Sequence, residues 1–151
     1  LIPYVCVGIF SFTIILVTGV AWFGVPVKGS LPLLMVLNFL FLLTVLAIGI
    51  VISTISSTQL QAMQASFAII LPSVLLSGFI FPRETMPWVI RLLSSVIPLT
   101  YILDILRGIF LKAIGIAELW QDTLALSAFT AVLCAIAIVR FRKNWSSGNF
   151  Q

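Results

Sequence analysis

Histidine is missing from this 151-residue sequence, and several chemistries go with it. Ser–His and Cys–His nucleophile pairs, histidine zinc sites and a histidine proton relay are excluded. Charge is scarce. Eight Lys/Arg and four Asp/Glu make up 8% of the chain, against about 25% in a soluble domain. No polar stretch is long enough to build a soluble domain beside the apolar ones. Cysteine is limited to Cys6 and Cys134, both inside apolar runs, so small packing residues are expected rather than a disulfide framework. The phosphate-cradling pattern Gly-x4-Gly-Lys-Ser/Thr is absent. The four acids, Glu84, Asp104, Glu118 and Asp122, do not form an intramembrane pair by spacing. An enzyme acting in the membrane is therefore not expected, and no catalytic, cofactor-binding or metal-ligating residue is assigned.

What is present is apolar sequence: 62% hydrophobic residues and a mean hydropathy of +1.27. Uncharged apolar runs of about 20 residues define an all-α, polytopic helical membrane protein, and the alternation of a membrane barrel strand is absent. The net charge of +4 does not point to nucleic acid. Arg140, Arg142 and Lys143 sit together just past the last apolar run and read as topology anchors. The chain opens in mid-run at Leu1 with no charged segment before it, so a signal peptide is not indicated. It is expected to be the C-terminal part of a longer protein.

Four spans are predicted, at about 1–23, 31–55, 58–81 and 119–139. Tyr4 and Trp22 sit near the ends of the first, as interfacial aromatics do. Pro3 and Pro32 fall in first turns, where proline is tolerated. In the second span Asn38 is the strongly polar group. It would line a pathway or, the preferred reading, make an interhelical hydrogen bond. Gly49 and Ser53, and in the last span Ser127, Ala131 and Ala135, form small-residue faces suited to helix contact. Thr58 and Gln61 have capping-box spacing at the start of the third span. Gln59, Gln61 and Gln64 are expected at the water interface there. Pro72 should kink this helix, and Gly78 would let it thin or approach a neighbour.

Between the last two spans the pattern breaks. Residues 77–111 hold Arg83, Glu84, Arg91, Asp104 and Arg107, five of the twelve charged residues, together with Pro82, Pro87 and Pro98. After a polar turn at Pro82–Pro87, short helices are predicted over Met86–Ile97 and Leu99–Ala113, the second ending near Gly115. Neither is long enough to cross a core of about 30 Å. Two arrangements remain open: a re-entrant hairpin over about 86–113, or a single span kinked at Pro98. Asp104 and Arg107, at i and i+3, are placed to pair directly, with Tyr101 on the same face. The pair either neutralises itself at the membrane surface or lines a substrate path. Arg91 is expected to snorkel to the interface. The density of positive charge after Val139 favours a cytoplasmic tail.

This segment resembles a known family. The run SGFIFP at Ser77–Pro82, Met86-Pro87, PLTY at Pro98–Tyr101 and LRG at Leu106–Gly108 are similar to the C-terminal half of the permease subunit of type-2 ATP-binding-cassette exporters, the drug, antibiotic and polysaccharide or lipid efflux permeases. LIPY at Leu1–Tyr4, ISTISSTQLQAMQ at Ile52–Gln64 and RFRK at Arg140–Lys143 fit the same family. The resemblance implies a six-helix permease in the cell inner (plasma) membrane, with its last four spans here and its C-terminus cytoplasmic. It implies that 86–113 is re-entrant on the outer face, with Tyr101, Asp104 and Arg107 at an outer gate and Asn38 beside the path. It also implies a second permease copy, as a homo- or heterodimer, and separate cytoplasmic ATPase subunits. ATP would be used by those partners, with no cofactor bound directly. The sparse polar groups of the spans suit a hydrophobic or amphipathic cargo. A non-transporting scaffold or assembly subunit remains an alternative. So does a channel or secondary carrier, although a carrier would usually show mid-span charges or paired interrupted helices in two repeats.

Overall fold

The computed structural model describes residues 1–112 and 116–146. Ala113, Gly115 and the tail from 147 onward, named in the predicted hairpin and tail, lie outside the described residues. The described residues form α1 (Ile2–Ala21), α2 (Leu31–Ile55), α3 (Gln59–Leu76), α4 (Trp88–Ser94), α5 (Pro98–Arg107) and α6 (Ile116–Ser146). Helices α1, α2, α3 and α6 are long and apolar enough to cross a membrane, while α4 and the stretch Pro98–Lys112 form a pair bent by 93°.

The ends of the helices follow from local chemistry. Pro3 and Pro32 occupy the first turns of α1 and α2, where the missing N–H would have no partner in any case. Thr58 caps α3: its hydroxyl accepts the Gln61 backbone N–H at 3.2 Å, and Gln61 Oε1 accepts the Ser57 N–H at 2.8 Å. This is the expected reciprocal cap, shifted by one residue on its second arm. Pro72 interrupts the hydrogen-bond ladder of α3 without ending the helix. Helix α3 stops at Leu76, short of the predicted Phe81. Gly78 has φ +88°, so it turns the chain instead of thinning the helix. Helix α6 is longer than its apolar stretch. Its 31 residues reach about 46 Å at ~1.5 Å per residue, beyond a core of about 30 Å.

The directions of the helices decide how the bent pair lies. Thr44 and Thr130 share a 2.5 Å hydrogen bond, and Asn144 Nδ2 donates to the Thr54 carbonyl at 3.2 Å. Partners advance together, so α2 and α6 run parallel. Gly49 and Ser53 share a recess with Gln59, Ala62 and Ser66, whereas Phe41 and Val45 share one with Ile69 and Ser73. Helix α3 therefore runs back along α2. It ends where α2 begins, and α6 begins there too. The segment between them starts and finishes at one end of the bundle, which is re-entrant geometry and not a fifth crossing. The core lies at this end, where Leu34 and Leu37 of α2 meet Ile102 and Ile105 of α5, then Ile109, and Leu119 and Leu126 of α6. Leu1, Thr54 and Arg142 come together at the opposite, tail end.

Among the described residues, helix contact does not use the small-residue faces the sequence suggested. A Cβ added to Gly49 would meet no neighbouring atom within 4 Å, and Ala131 and Ala135 are exposed. The buried face of α6 is Leu119, Leu126, Thr130 and Ala137, one stripe at helical spacing. Leucine side chains fill that interface, so close backbone approach is not needed there. Close approach occurs instead at Gly8, against Leu42, and at Gly29 in the first loop. A Cβ on Gly29 would lie 2.8 Å from Ile109 Cγ2 and 2.9 Å from the Ile109 carbonyl oxygen. Gly29→Ala should therefore destabilise the protein by about 1–3 kcal/mol, the usual cost of overpacking. Gly19→Ala, with open space around it, should not. Thermal unfolding of both variants in detergent checks this contrast.

Candidate functional site

The 93° bend is built by backbone breaks. Helix α4 ends at Ser94, and α5 restarts with Pro98 in its first turn. Pro82 and Pro87 bracket a single 3-10 turn, Arg83–Thr85, before α4. The breaks leave carbonyl groups short of α-helical partners, those of Arg83 and Ser94 keeping the N–H groups of Met86 and Ile97, and where such a segment lies in lipid no water is at hand to satisfy the rest. Side chains of the same segment do so. Arg91 donates through Nε and Nη2 to the Arg83 carbonyl at 3.2 and 3.0 Å, and through Nη2 to the Glu84 carbonyl at 3.3 Å. Arg107 Nη2 donates to the Gly78 carbonyl at 2.6 Å. The Tyr101 hydroxyl donates to the Ser95 carbonyl at 2.6 Å, and the Thr100 hydroxyl to the Ser94 carbonyl at 2.8 Å.

Arg83 ties the turn to α5. Its Nη1 lies 3.0 Å from Asp104 Oδ2, the salt bridge found among the described residues, and its Nη2 donates to Ser95 Oγ at 3.4 Å. Asp122 of α6 lies within electrostatic range of both Asp104 and Arg83. The Tyr101 ring packs on Phe129 of α6, with centroids 5.7 Å apart. The elbow is thereby fastened to α6 by a ring contact as well as by the apolar core. Arg83 Nε and Thr123 Oγ1 are buried with no hydrogen-bond partner among the described residues.

Two sequence expectations are corrected here. Asp104 and Arg107 do not pair with each other, because Arg83 takes the carboxylate and the Gly78 carbonyl takes the guanidinium. Arg91 is exposed, and its guanidinium folds back over the Arg83 turn, donating to the Arg83 and Glu84 carbonyls. The side chain of Asn38, half-buried on α2, makes no hydrogen bond to another described residue. The buried polar bridge between helices is Thr44–Thr130. Tyr101, Asp104 and Arg107 all lie on the elbow, whereas Arg140, Arg142 and Lys143 are exposed on the last turns of α6 at the tail end. Sequence reasoning missed Arg83 as the partner of Asp104 and missed the approach of Asp122. No local pattern links residues 21 positions apart, and the Gly78 turn that brings them together was read as a packing feature.

The arrangement can fasten and release. No group of three or more metal-ligating side chains is found among the described residues.

These features define a class, the integral membrane proteins with four crossing helices and a charged elbow before the last of them. Residues 1–111 match the family described as ABC-2 type transporter, and the chain belongs to that family. It is 42% identical over 112 residues to the probable multidrug ABC transporter permease YbhS of Escherichia coli K12, covering 74% of this chain and 30% of that protein. It is 32% identical over 142 residues to the probable multidrug ABC transporter permease YbhR of the same organism, covering 94% of this chain and 39% of that one. ABC transporter G family member 20 of Dictyostelium discoideum is 25% identical over 131 residues, 85% of this chain and 18% of that protein. The chain thus spans 30–39% of the length of its bacterial relatives. No solved structure gives a significant match.

A double-mutant cycle on Arg83→Gln and Asp104→Asn should return a coupling of about 1 kcal/mol or less, given that both side chains are partly exposed. The same cycle on Asp104→Asn and Arg107→Gln should return about zero. Unfolding free energies in detergent micelles measure both.

Proposed function

We propose that this chain is the C-terminal transmembrane part of the permease of an ATP-driven exporter. The match of residues 1–111 to the ABC-2 type transporter family carries this reading, and the permease names of the bacterial relatives support it. In this reading the tail end faces the cytoplasm of a cell whose inner membrane holds the protein. The exposed Arg140, Arg142 and Lys143 at that end support the assignment. The elbow then lies on the outer side. A separate cytoplasmic ATPase supplies the energy, so this chain hydrolyses nothing itself. A second permease copy, identical or not, completes the pathway.

The elbow would act as the outer gate. Tyr101, Asp104 and Arg107 shape it together with Arg83, and ATP-driven tilting of the long helices would strain the Arg83–Asp104 tie. Such a shift needs a ligand that binds the two states differently. Asn38, whose side chain has no hydrogen-bond partner among the described residues, is a half-buried polar group on α2 left over to meet cargo. Uncharged α1 and α2 favour a hydrophobic or amphipathic compound, in the range of drugs, antibiotics, lipids or lipid-linked polysaccharides.

The test uses the full-length permease with its ATPase in inverted membrane vesicles. ATP should drive uptake of a fluorescent amphiphile, and a non-hydrolysable analogue should not. Arg83→Gln should lower uptake while the complex still assembles, and Asn38→Leu should change the preference among amphiphiles. Uptake indifferent to ATP would rule out the exporter. Unchanged export of amphiphiles in both variants, with export of a hydrophilic compound abolished, would rule out the proposed cargo class.

A further inference from the structure

At the tail end a groove of about 570 Å³ lies along the α2–α6 seam beside Leu1, next to the Asn144–Thr54 hydrogen bond, within the 300–1,000 Å³ usual for ligand sites. Its walls are apolar, with Ile50 from α2 and Ala137, Ile138 and Phe141 from α6. Its rim is not. Arg142 and Trp145 line the same groove. Arg142 makes no salt bridge among the described residues. No acid stands nearby in sequence: α1 and α2 carry no charged residue at all, and after Asp122 the chain has no Asp or Glu. The groove therefore combines an apolar cleft with a guanidinium at its mouth that makes no salt bridge among the described residues.

Its depth fits the same occupant. The last apolar run ends at Val139, so Arg142 stands about one turn beyond it, at headgroup level. Phe141 and Trp145, one turn apart with ring centroids at 6.1 Å, sit where amphipathic rings collect at the boundary of acyl chain and headgroup. A guanidinium there can grip a phosphate through two parallel N–H donors.

We propose that this groove is a binding site for an anionic phospholipid, with an acyl chain in the cleft along the α2–α6 seam and the phosphate on Arg142. Such a site needs only that the helices lie in a bilayer. It does not depend on which face is cytoplasmic or on what the protein transports.

Trp145 provides the readout. The other three tryptophans, Trp22, Trp88 and Trp120, lie at or beside the elbow end and are 84%, 73% and 53% exposed, so Phe can replace them. The full-length protein with every tryptophan but Trp145 replaced, those outside this chain included, is placed in phosphatidylcholine vesicles containing brominated phosphatidylglycerol or brominated phosphatidylcholine. The brominated anionic lipid should half-quench Trp145 at about five-fold lower mole fraction than the zwitterionic one, the effect of one basic residue near a membrane surface. Arg142→Gln should erase that preference. Arg140→Gln removes the same charge from a position outside the groove and should keep it. Ser53→Phe fills the cleft without touching a charge and should weaken it. Equal quenching by the two lipids would overturn the proposal, as would equal losses in Arg140→Gln and Arg142→Gln, which would mean diffuse surface attraction. Trp145 shielded from both lipids would also overturn it, because protein would then occupy the groove.

Discussion

A backbone broken in an apolar medium must find its hydrogen-bond partners within the protein. That constraint accounts for most of what is unusual in this chain. Between Gly78 and Pro98 the helical ladder is interrupted repeatedly, and the carbonyls of Gly78, Arg83, Glu84, Ser94 and Ser95 each receive a side-chain donor. The donors, Arg91, Thr100, Tyr101 and Arg107, belong to the same 30-residue stretch. Charge is concentrated here because the breaks are here. Arginine suits the task, since one planar group can serve two carbonyls, as Arg91 does.

The elbow would not hold its place by its own hydrogen bonds. It is wedged between α2 and α6, whose parallel course leaves the intervening segment no room for a crossing of its own. Within a bilayer this contact draws little from the hydrophobic effect, because lipid tails are as apolar as leucine. Shape complementarity and the Thr44–Thr130 bridge do the fastening. Gly29 belongs to the same assembly: the first loop reaches the elbow only because no Cβ stands between it and Ile109. The charged tie from Arg83 to Asp104 then joins two segments that are far apart in sequence.

The spans were legible because apolar length is a local property. Leu31–Ile55 was readable to the residue from Pro32 and the Ser-rich turn after it, and Thr58 with Gln61 announced the start of α3. The class and the bent pair before the last span were legible for the same reason. What the sequence hid were partners. Asp104 has Arg107 one turn away and Arg83 twenty-one residues away, and spacing alone favours the nearer one. Gly78 decided otherwise, by turning the chain at a left-handed φ that the apolar run around it did not advertise. The small-residue stripes misled in a similar way. They mark where helices could approach, while Leu119 and Leu126 show where α6 did.

The outer gate requires that the elbow begin and end at one end of the bundle, opposite the tail. Single cysteines at Glu84, Lys112 and Lys143, in a Cys-free full-length protein in intact cells, measure this with a membrane-impermeant thiol reagent. Glu84→Cys and Lys112→Cys should label from the same side, and Lys143→Cys only from the other. Labelling of Glu84→Cys and Lys112→Cys from opposite sides would make the elbow a fifth span and contradict the re-entrant geometry.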